Sequence, residues 1–540
     1  MPMRLQTKSS RMIKPAITPY RRWILLLALP FLVAAAPPFE ADVLLRHGVI
    51  YTGNSAPFTG DVAVSGDKIV AVGAQLHAVA RRTIDLSGMI VAPGFIDPHT
   101  HVDEDILSSD TKRRLVLSAL LQGVTTVFIG NDGFGPIDVK QRLNAAFANP
   151  VGPNYATFIG FGAVRQAVIG DAARSPNPDE MERMERIVAR GMCDGAIGFS
   201  TGLFYAPQSF AKTEEVTALA REAASRGGIY DSHIRDEADY SIGLEGAIRE
   251  AITIGHDAGL PVHIAHIKAL GVNVQGQAPQ IIAAVESARA AGQDVTADQY
   301  PWSASGTSLV DSLVPAWAQD GGRTAMLSRL DDPAVRERLH ADMRENLRRR
   351  GGAASLLVIA TANQPALLGK SLADIAASRH VDPVDAAIEV IRVENPTIAS
   401  FNQSEKDISA FMAEPWVMTS SDGLTGHPRL YGSFARKYNV YVREQRTITV
   451  RQFIEQSSRL PADTFQLKGR GRIAPGAFAD IVAFDPVRYA ARATYRAPTL
   501  PAIGVELVLV NGRIVVEGGK ATGIAAGRAL AHHPPLHRCP

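Results

Sequence analysis

Among the histidines and acidic residues of this 540-residue chain, six stand out because each comes at the end of a short strand-like run. His99 and His101 come first, in GFIDPHTH. Residues i and i+2 of a strand face the same way, so both imidazoles can point into one pocket and share an ion. Asp132 follows VTTVFIGN, His233 ends GIYDSH, His266 ends PVHIAH, and Asp422 follows WVMTSS. Neutral imidazoles with carboxylates are the donor set of Zn²⁺ and similar borderline ions. Taken singly, any of them is as readily a hydrogen-bonded core histidine or a capping aspartate. At the same end of five different strands they predict a metal site holding one or two ions.

The remaining histidines serve as a control. His263 lies three residues before His266, faces the opposite side of its strand, and is expected to pack. His427, in the loop after Asp422, is a candidate for the entrance. His47, His77, His256, His340, His380, His532, His533 and His537 fall in turns, helices or the tail.

The elements that must position these residues read as alternating strands and helices. Strand patterns end at FIDPHTH (95–101), VTTVFIGND (124–132), YATFIGFG (155–162), GAIGFS (195–200), GIYDSH (228–233), PVHIAH (261–266), DVTADQY (294–300) and WVMTSSD (416–422). Helical stretches such as PDEMERMERIVARG and TEEVTALAREAASRG separate most of them. Eight β/α alternations predict an α/β fold with a closed (β/α)8 barrel of the TIM type over residues 93–465. A helical insertion at 310–415, with segments 323–350, 371–393 and 404–413, is expected to cap the site between strands seven and eight. Residues 41–92 and 466–525 are β-branched runs broken by Gly-rich turns, which predicts one small β-sandwich built from both chain ends. The segment 526–540, with Pro534 and Pro535, reads as a loose tail.

Composition excludes other classes. With 56 Lys plus Arg against 54 Asp plus Glu, the chain has no basic surplus for nucleic acid. Hydrophobic residues at 46% and charged ones at 20% fit an ordinary large enzyme. Cys193 and Cys539 are far apart and form no CxxC pattern, so no disulfide and no thiolate metal site are expected, and Cys193 reads as an inert packing residue. At the N-terminus six basic residues precede WILLLALPFLVAAA (23–36), a signal peptide or anchor over 1–36. Export to a bacterial periplasm is expected, with membrane contact only through that segment where it stays uncleaved. No GxSxG elbow offers a nucleophilic serine.

GFIDPHTH, GVTTVFIGN, GAIGFSTGLFY, SHIRDE, AHIKALG, DQYPW, SSDGL and HPRLYGSFAR together resemble the D-aminoacylase branch of the amidohydrolase superfamily. The phrase PGAFADIVAFDP is similar across that superfamily more widely. The resemblance spans residues 41 to 522 and implies a hydrolase of linear amides that releases a D-amino acid from a small N-acyl-D-amino acid. It implies that His99 and His101 hold one ion, that His233 and His266 hold the other, and that Asp422 is both a ligand and the proton-transfer group. It also puts Lys268, Tyr300 and Arg429 around the substrate carboxylate with Ser305 nearby, and Tyr205 at the mouth. Two departures stand out. Asp132 occupies the place of the family's bridging cysteine, and strand four ends in Phe199-Ser200 where other amidohydrolases carry a lysine. The loop between Asp422 and His427 is also short for the family. Dipeptidase, cyclic amidase and lactonase chemistry use the same machinery, and a non-catalytic binding protein is the remaining alternative class.

Overall fold

Parallel strands covered on both faces must be apolar or β-branched along their whole length. VTTVFI meets that demand, and all six of its residues are buried at Val124–Ile129. The computed structural model describes residues 39–539, so the expected export segment at 1–36 lies outside the described residues. Among the described residues eight parallel strands line up in chain order. They are Phe95–Asp97, Val124–Ile129, Asn154–Thr157 (continued as Ile159–Gly160), Gly198–Gly202, Ile229–His233, Val262–Ile264, Val295–Gln299 and Val417–Thr419. Each pairs with the next in parallel register. The eighth returns to the first: the Asp422 N–H donates to His99 O at 2.9 Å and the His101 N–H to Gly423 O at 3.2 Å. The sheet is therefore a closed (β/α)8 barrel, as the sequence predicts.

The crossover helices carry their own start and stop signals. Pro178–Cys193 opens on a capping box in which Asn177 and Glu180 bind each other's backbone, and it buries Met184, Val188 and Met192 against the strands. Each such side chain contributes roughly 1.5–3 kcal/mol. Gly243–Ala258 ends at Gly259, whose left-handed backbone (φ 77°) closes the helix.

Both chain ends enter one nine-stranded sheet. Ile481–Phe484 pairs antiparallel with Ile90–Pro93, which also pairs with Phe39–Ile50. Their shared core contains Val43, Val62 and Ile69 from one end and Ile481 and Leu509 from the other.

The insertion differs from its expected form. Besides helices Gly322–Asp331, Arg336–Arg349, Leu372–Arg379 and Pro383–Val393, it contains an antiparallel sheet of Ala304–Ser308, Thr397–Phe401 and Leu356–Ala360. It therefore begins before residue 310. The helix Glu405–Ala413 is not part of the cap: Ile408, Phe411 and Met412 pack into the barrel core, making it the crossover to strand eight.

The tail is a second correction. The Gly527 N–H donates to Val151 O, the Leu530 N–H to Tyr155 O and the His532 N–H to Gly195 O, at 2.8, 2.8 and 2.9 Å, so these residues run along the barrel wall. Cys539 is disulfide-bonded to Cys193 across 346 residues of sequence. The expectations of no disulfide and of an inert Cys193 are thereby overturned. Only the fold brings the two cysteines to a Cα separation of 5.5 Å.

Candidate metal centre

The strand ends bring the six predicted ligand candidates together in two groups that share Asp132. His99, His101, Asp132 and Asp422 form one; Asp132, His233 and His266 form the other. Asp132 Oδ1 lies 3.4 Å from His99 Nε2 and 3.6 Å from His266 Nε2, while its Oδ2 lies 3.4 Å from His101 Nε2. Asp422 Oδ1 lies 3.1 Å from His101 Nε2 and 3.7 Å from His99 Nε2. His233 Nδ1 and His266 Nε2 face each other at 2.9 Å. Donors about 2.0–2.2 Å from a tetrahedral Zn²⁺ stand about 3.4 Å apart, which is the scale of most of these separations.

The backbone is bent to achieve this. Asp132, His266 and Asp422 all have positive φ (56°, 34° and 45°). For non-glycine residues such conformations cost about 1–3 kcal/mol each and persist only where surroundings enforce them. At Asp132 the enforcement is visible. Ser200 Oγ, in the middle of strand four, accepts from the Gly133 N–H (3.1 Å) and donates to Gly130 O (2.6 Å). Gln208 donates to Asp132 O at 2.9 Å. A Cβ on Gly133 (φ 75°) would lie 2.0 Å from Gln208 Oε1, so a side chain there would strain the backbone and push Gln208 off the Asp132 carbonyl.

The buried polar atoms fit a cation. His99 Nδ1 and Nε2, Asp132 Oδ1 and His233 Nε2 are buried without a hydrogen-bond partner, a costly state for polar atoms otherwise. Burial opposes charge on His101, yet Asp132 and Asp422 push its pKa up to about 10. His266 also rises to about 10, because Glu237, Asp422 and Asp132 outweigh burial and Lys268. Burial instead pushes His233 down to about 3. The carboxylates of Asp132 and Asp422 are held well below their usual range against burial, by His99 and by Arg429 respectively. Oxygen and imidazole donors in so negative a field suit Zn²⁺, and an all-oxygen bridge is harder than a thiolate one.

Several supporting residues escaped the sequence reading. Glu237, the last letter of SHIRDE, has Oε1 3.1 Å from His266 Nδ1 and Oε2 3.8 Å from His233 Nε2. It also pairs with Lys268. Asp298, in DQYPW, lies 3.8 Å from His99 Nδ1 and 2.8 Å from His263 Nε2, and takes a hydrogen bond from Ser420. His263 thus faces away from the site as expected, but it is hydrogen-bonded to Asp298 and Thr296 rather than merely packed. Burial pushes Asp97 up to about 7 while it accepts from the Ser421 N–H at 3.0 Å. The only signal for such residues is polarity within a strand-end motif, which does not say whom they touch.

The centre opens on a narrow cavity of ≈ 30 Å³. Lys268, Tyr300, Ser305 and Tyr205 line it, together with Phe204, Gly306 and Arg350. Phe204 also lines a wider cavity of ≈ 440 Å³ beneath the insertion. Lys268 Nζ is committed to Glu237 and lies 2.7 Å from His266 Nδ1. The Tyr300 hydroxyl accepts from Gln403 at 2.9 Å. Ser305 Oγ is buried without a partner. The Tyr205 ring packs against that of His233 at a tilt of 52°, with centroids 4.6 Å apart. Arg429 lies behind the wall, with Nη1 2.8 Å from Asp422 Oδ2 and Cζ 4.7 Å from the Tyr300 ring centre. His427 is fully buried beside it, accepting from the Arg429 N–H at 3.1 Å, and so is not an entrance residue.

The sequence model described as the amidohydrolase family matches residues 82–516. A D-aminoacylase of Alcaligenes xylosoxydans xylosoxydans is 33% identical over 518 residues, covering 91% of this chain and 97% of that protein. A D-aminoacylase crystal structure superposes with a TM-score of 0.79 at 32% identity, covering 92% of this chain and all of the other. The N-acyl-D-glutamate deacylase of Bordetella bronchiseptica, solved with zinc and a phosphonate mimic of the tetrahedral intermediate, gives a TM-score of 0.78 at 31% identity, covering 91% of this chain and 100% of that one.

Proposed function

The chain belongs to the amidohydrolase family, and from that premise we propose that it is a metal-dependent hydrolase of linear amides that releases D-amino acids from N-acyl-D-amino acids. The carrying observation is the two ligand groups joined through Asp132 with Asp422 at their edge, in a chain similar over nearly its whole length to D-aminoacylase. Zinc is the assigned ion, and His99, His101, Asp132, His233, His266 and Asp422 would hold one or two ions per chain.

A divalent ion there would polarise the scissile carbonyl and lower the pKa of the attacking water. The chain's own residues do the rest. Asp422 takes the water's proton at Oδ1 and delivers it to the departing nitrogen, while Arg429 fixes Oδ2. Glu237 holds the rings of His266 and His233 in place, and Lys268 neutralises it. The substrate's α-carboxylate is held by Lys268, Tyr300 and Ser305, with Arg429 beneath Gly306. A Cβ on Gly306 would lie 3.1 Å from Arg429 Nη2, so glycine leaves the thinnest wall between that guanidinium and the cavity. Chirality is then read by three fixed points: acyl carbonyl, carboxylate and the wall that receives the side chain.

Export fits the same reading. A disulfide joining Cys193 to the tail is stable in an oxidising compartment such as the periplasm. The functional assignment is tested by presenting matched N-acetyl-D- and N-acetyl-L-amino acids and measuring released amine. Preference for the D series supports it; equal turnover of both series refutes the D-aminoacylase assignment.

A further inference from the structure

Arg350 borders the catalytic cavity from the insertion, just past helix Arg336–Arg349. It is 2% exposed, and its Nε and Nη1 are buried without an acceptor. Among the described residues no carboxylate oxygen lies within 4.0 Å of its nitrogens. The neighbouring Arg349, by contrast, reaches Asp239 and Glu345 at 3.4 and 3.5 Å. The Tyr240 ring, 5.8 Å from Arg350 Cζ, steadies the group without neutralising it. Asp311 is no full counter-charge either. Its carboxylate takes a hydrogen bond from Ser308, and burial raises its pKa despite Ser308 and Arg350.

A buried guanidinium without a counter-ion is unfavourable unless a ligand supplies one. The other cations of this site already have carboxylates: Lys268 has Glu237 and Arg429 has Asp422. Arg350 lines the same cavity but is not among the groups assigned to the α-carboxylate (Lys268, Tyr300, Ser305 and Arg429), and unlike Lys268 and Arg429 it has no carboxylate of the described residues beside it. Its planar fork matches a carboxylate bidentately.

We propose that Arg350 binds a second carboxylate of the substrate, so that the preferred substrates are dianionic N-acyl-D-amino acids. The second carboxylate belongs to the amino-acid side chain or to the acyl group. This rests on the deacylase reading above and adds to it the charge class of the substrate.

The test uses the zinc-loaded full chain and two matched pairs. N-acetyl-D-glutamate is compared with N-acetyl-D-glutamine, and N-succinyl-D-leucine with N-acetyl-D-leucine. In at least one pair the dianion is expected to exceed its neutral-group partner in kcat/KM by about ten- to a hundredfold, the worth of a hydrogen bond to a charged group. The favoured pair tells side chain from acyl group. Arg350→Met should collapse that ratio, and Arg350→Lys should keep part of it. Ratios near one in both wild-type pairs overturn the proposal and leave the deacylase reading standing, as does a ratio that survives Arg350→Met. Turnover of none of the four compounds overturns both. Should Arg350→Met fail to fold, Arg350→Lys carries the same reading: a ratio reduced from wild type supports the proposal, and an unchanged one overturns it.

Discussion

Asp132 Oδ1 stands 3.4 Å from His99 Nε2 and 3.6 Å from His266 Nε2, so one carboxylate separates and joins two histidine pairs. If that carboxylate bridges ions, Asp132→Ala lowers bound zinc as well as turnover, and Asp132→Cys retains metal by restoring the relatives' ligand type. Metal analysis of the purified variants checks this. Unchanged zinc in Asp132→Ala would show that the aspartate only shapes its turn.

Glu237 lies outside the two ligand groups and faces His266 Nδ1 and His233 Nε2. Loss of such a partner costs roughly ten- to a hundredfold in metal affinity or activity. Glu237→Gln should therefore weaken zinc binding by about that factor, read by competition with a chelating dye. Undiminished affinity would reduce Glu237 to a partner for Lys268.

Arg429 touches Asp422 and lies beneath Gly306, so its loss should act on two levels. Arg429→Ala should depress kcat/KM by about ten- to a hundredfold on N-acyl amino acids. The loss should be smaller on the matching amides, which lack the α-carboxylate. An equal defect on both series would leave Arg429 as a positioning residue for Asp422 alone.

The Cys193–Cys539 bond ties the tail to the barrel. Its removal by Cys539→Ser should destabilise the fold by about 2–4 kcal/mol, seen as a lower Tm by calorimetry, with zinc content unchanged. An unaltered Tm would mean that the hydrogen bonds at 527–532 hold the tail by themselves.

The barrel and its ligand candidates were legible because both are local. A strand pattern places the residue that follows it at the barrel's rim, and His99, His101, Asp132, His233, His266 and Asp422 all follow strand patterns. Glu237 and Arg350 were not, because their roles depend on which loop folds over which: Glu237 meets His266 across 28 intervening positions, and Arg350 arrives from an insertion. The strand Ala304–Ser308 was hidden by its composition, since ASGTS has no apolar alternation to betray it. The disulfide was hidden for the same reason as Glu237, two distant segments meeting only in the fold.

The account stands most directly on metal dependence of D-amino acid release. The measurement is the rate of amine release from an N-acetyl-D-amino acid by chelator-stripped protein, before and after zinc is returned, with metal content determined alongside. The predicted result is loss of turnover on stripping and recovery as zinc is restored to one or two ions per chain. Full turnover by protein shown to be metal-free would contradict it.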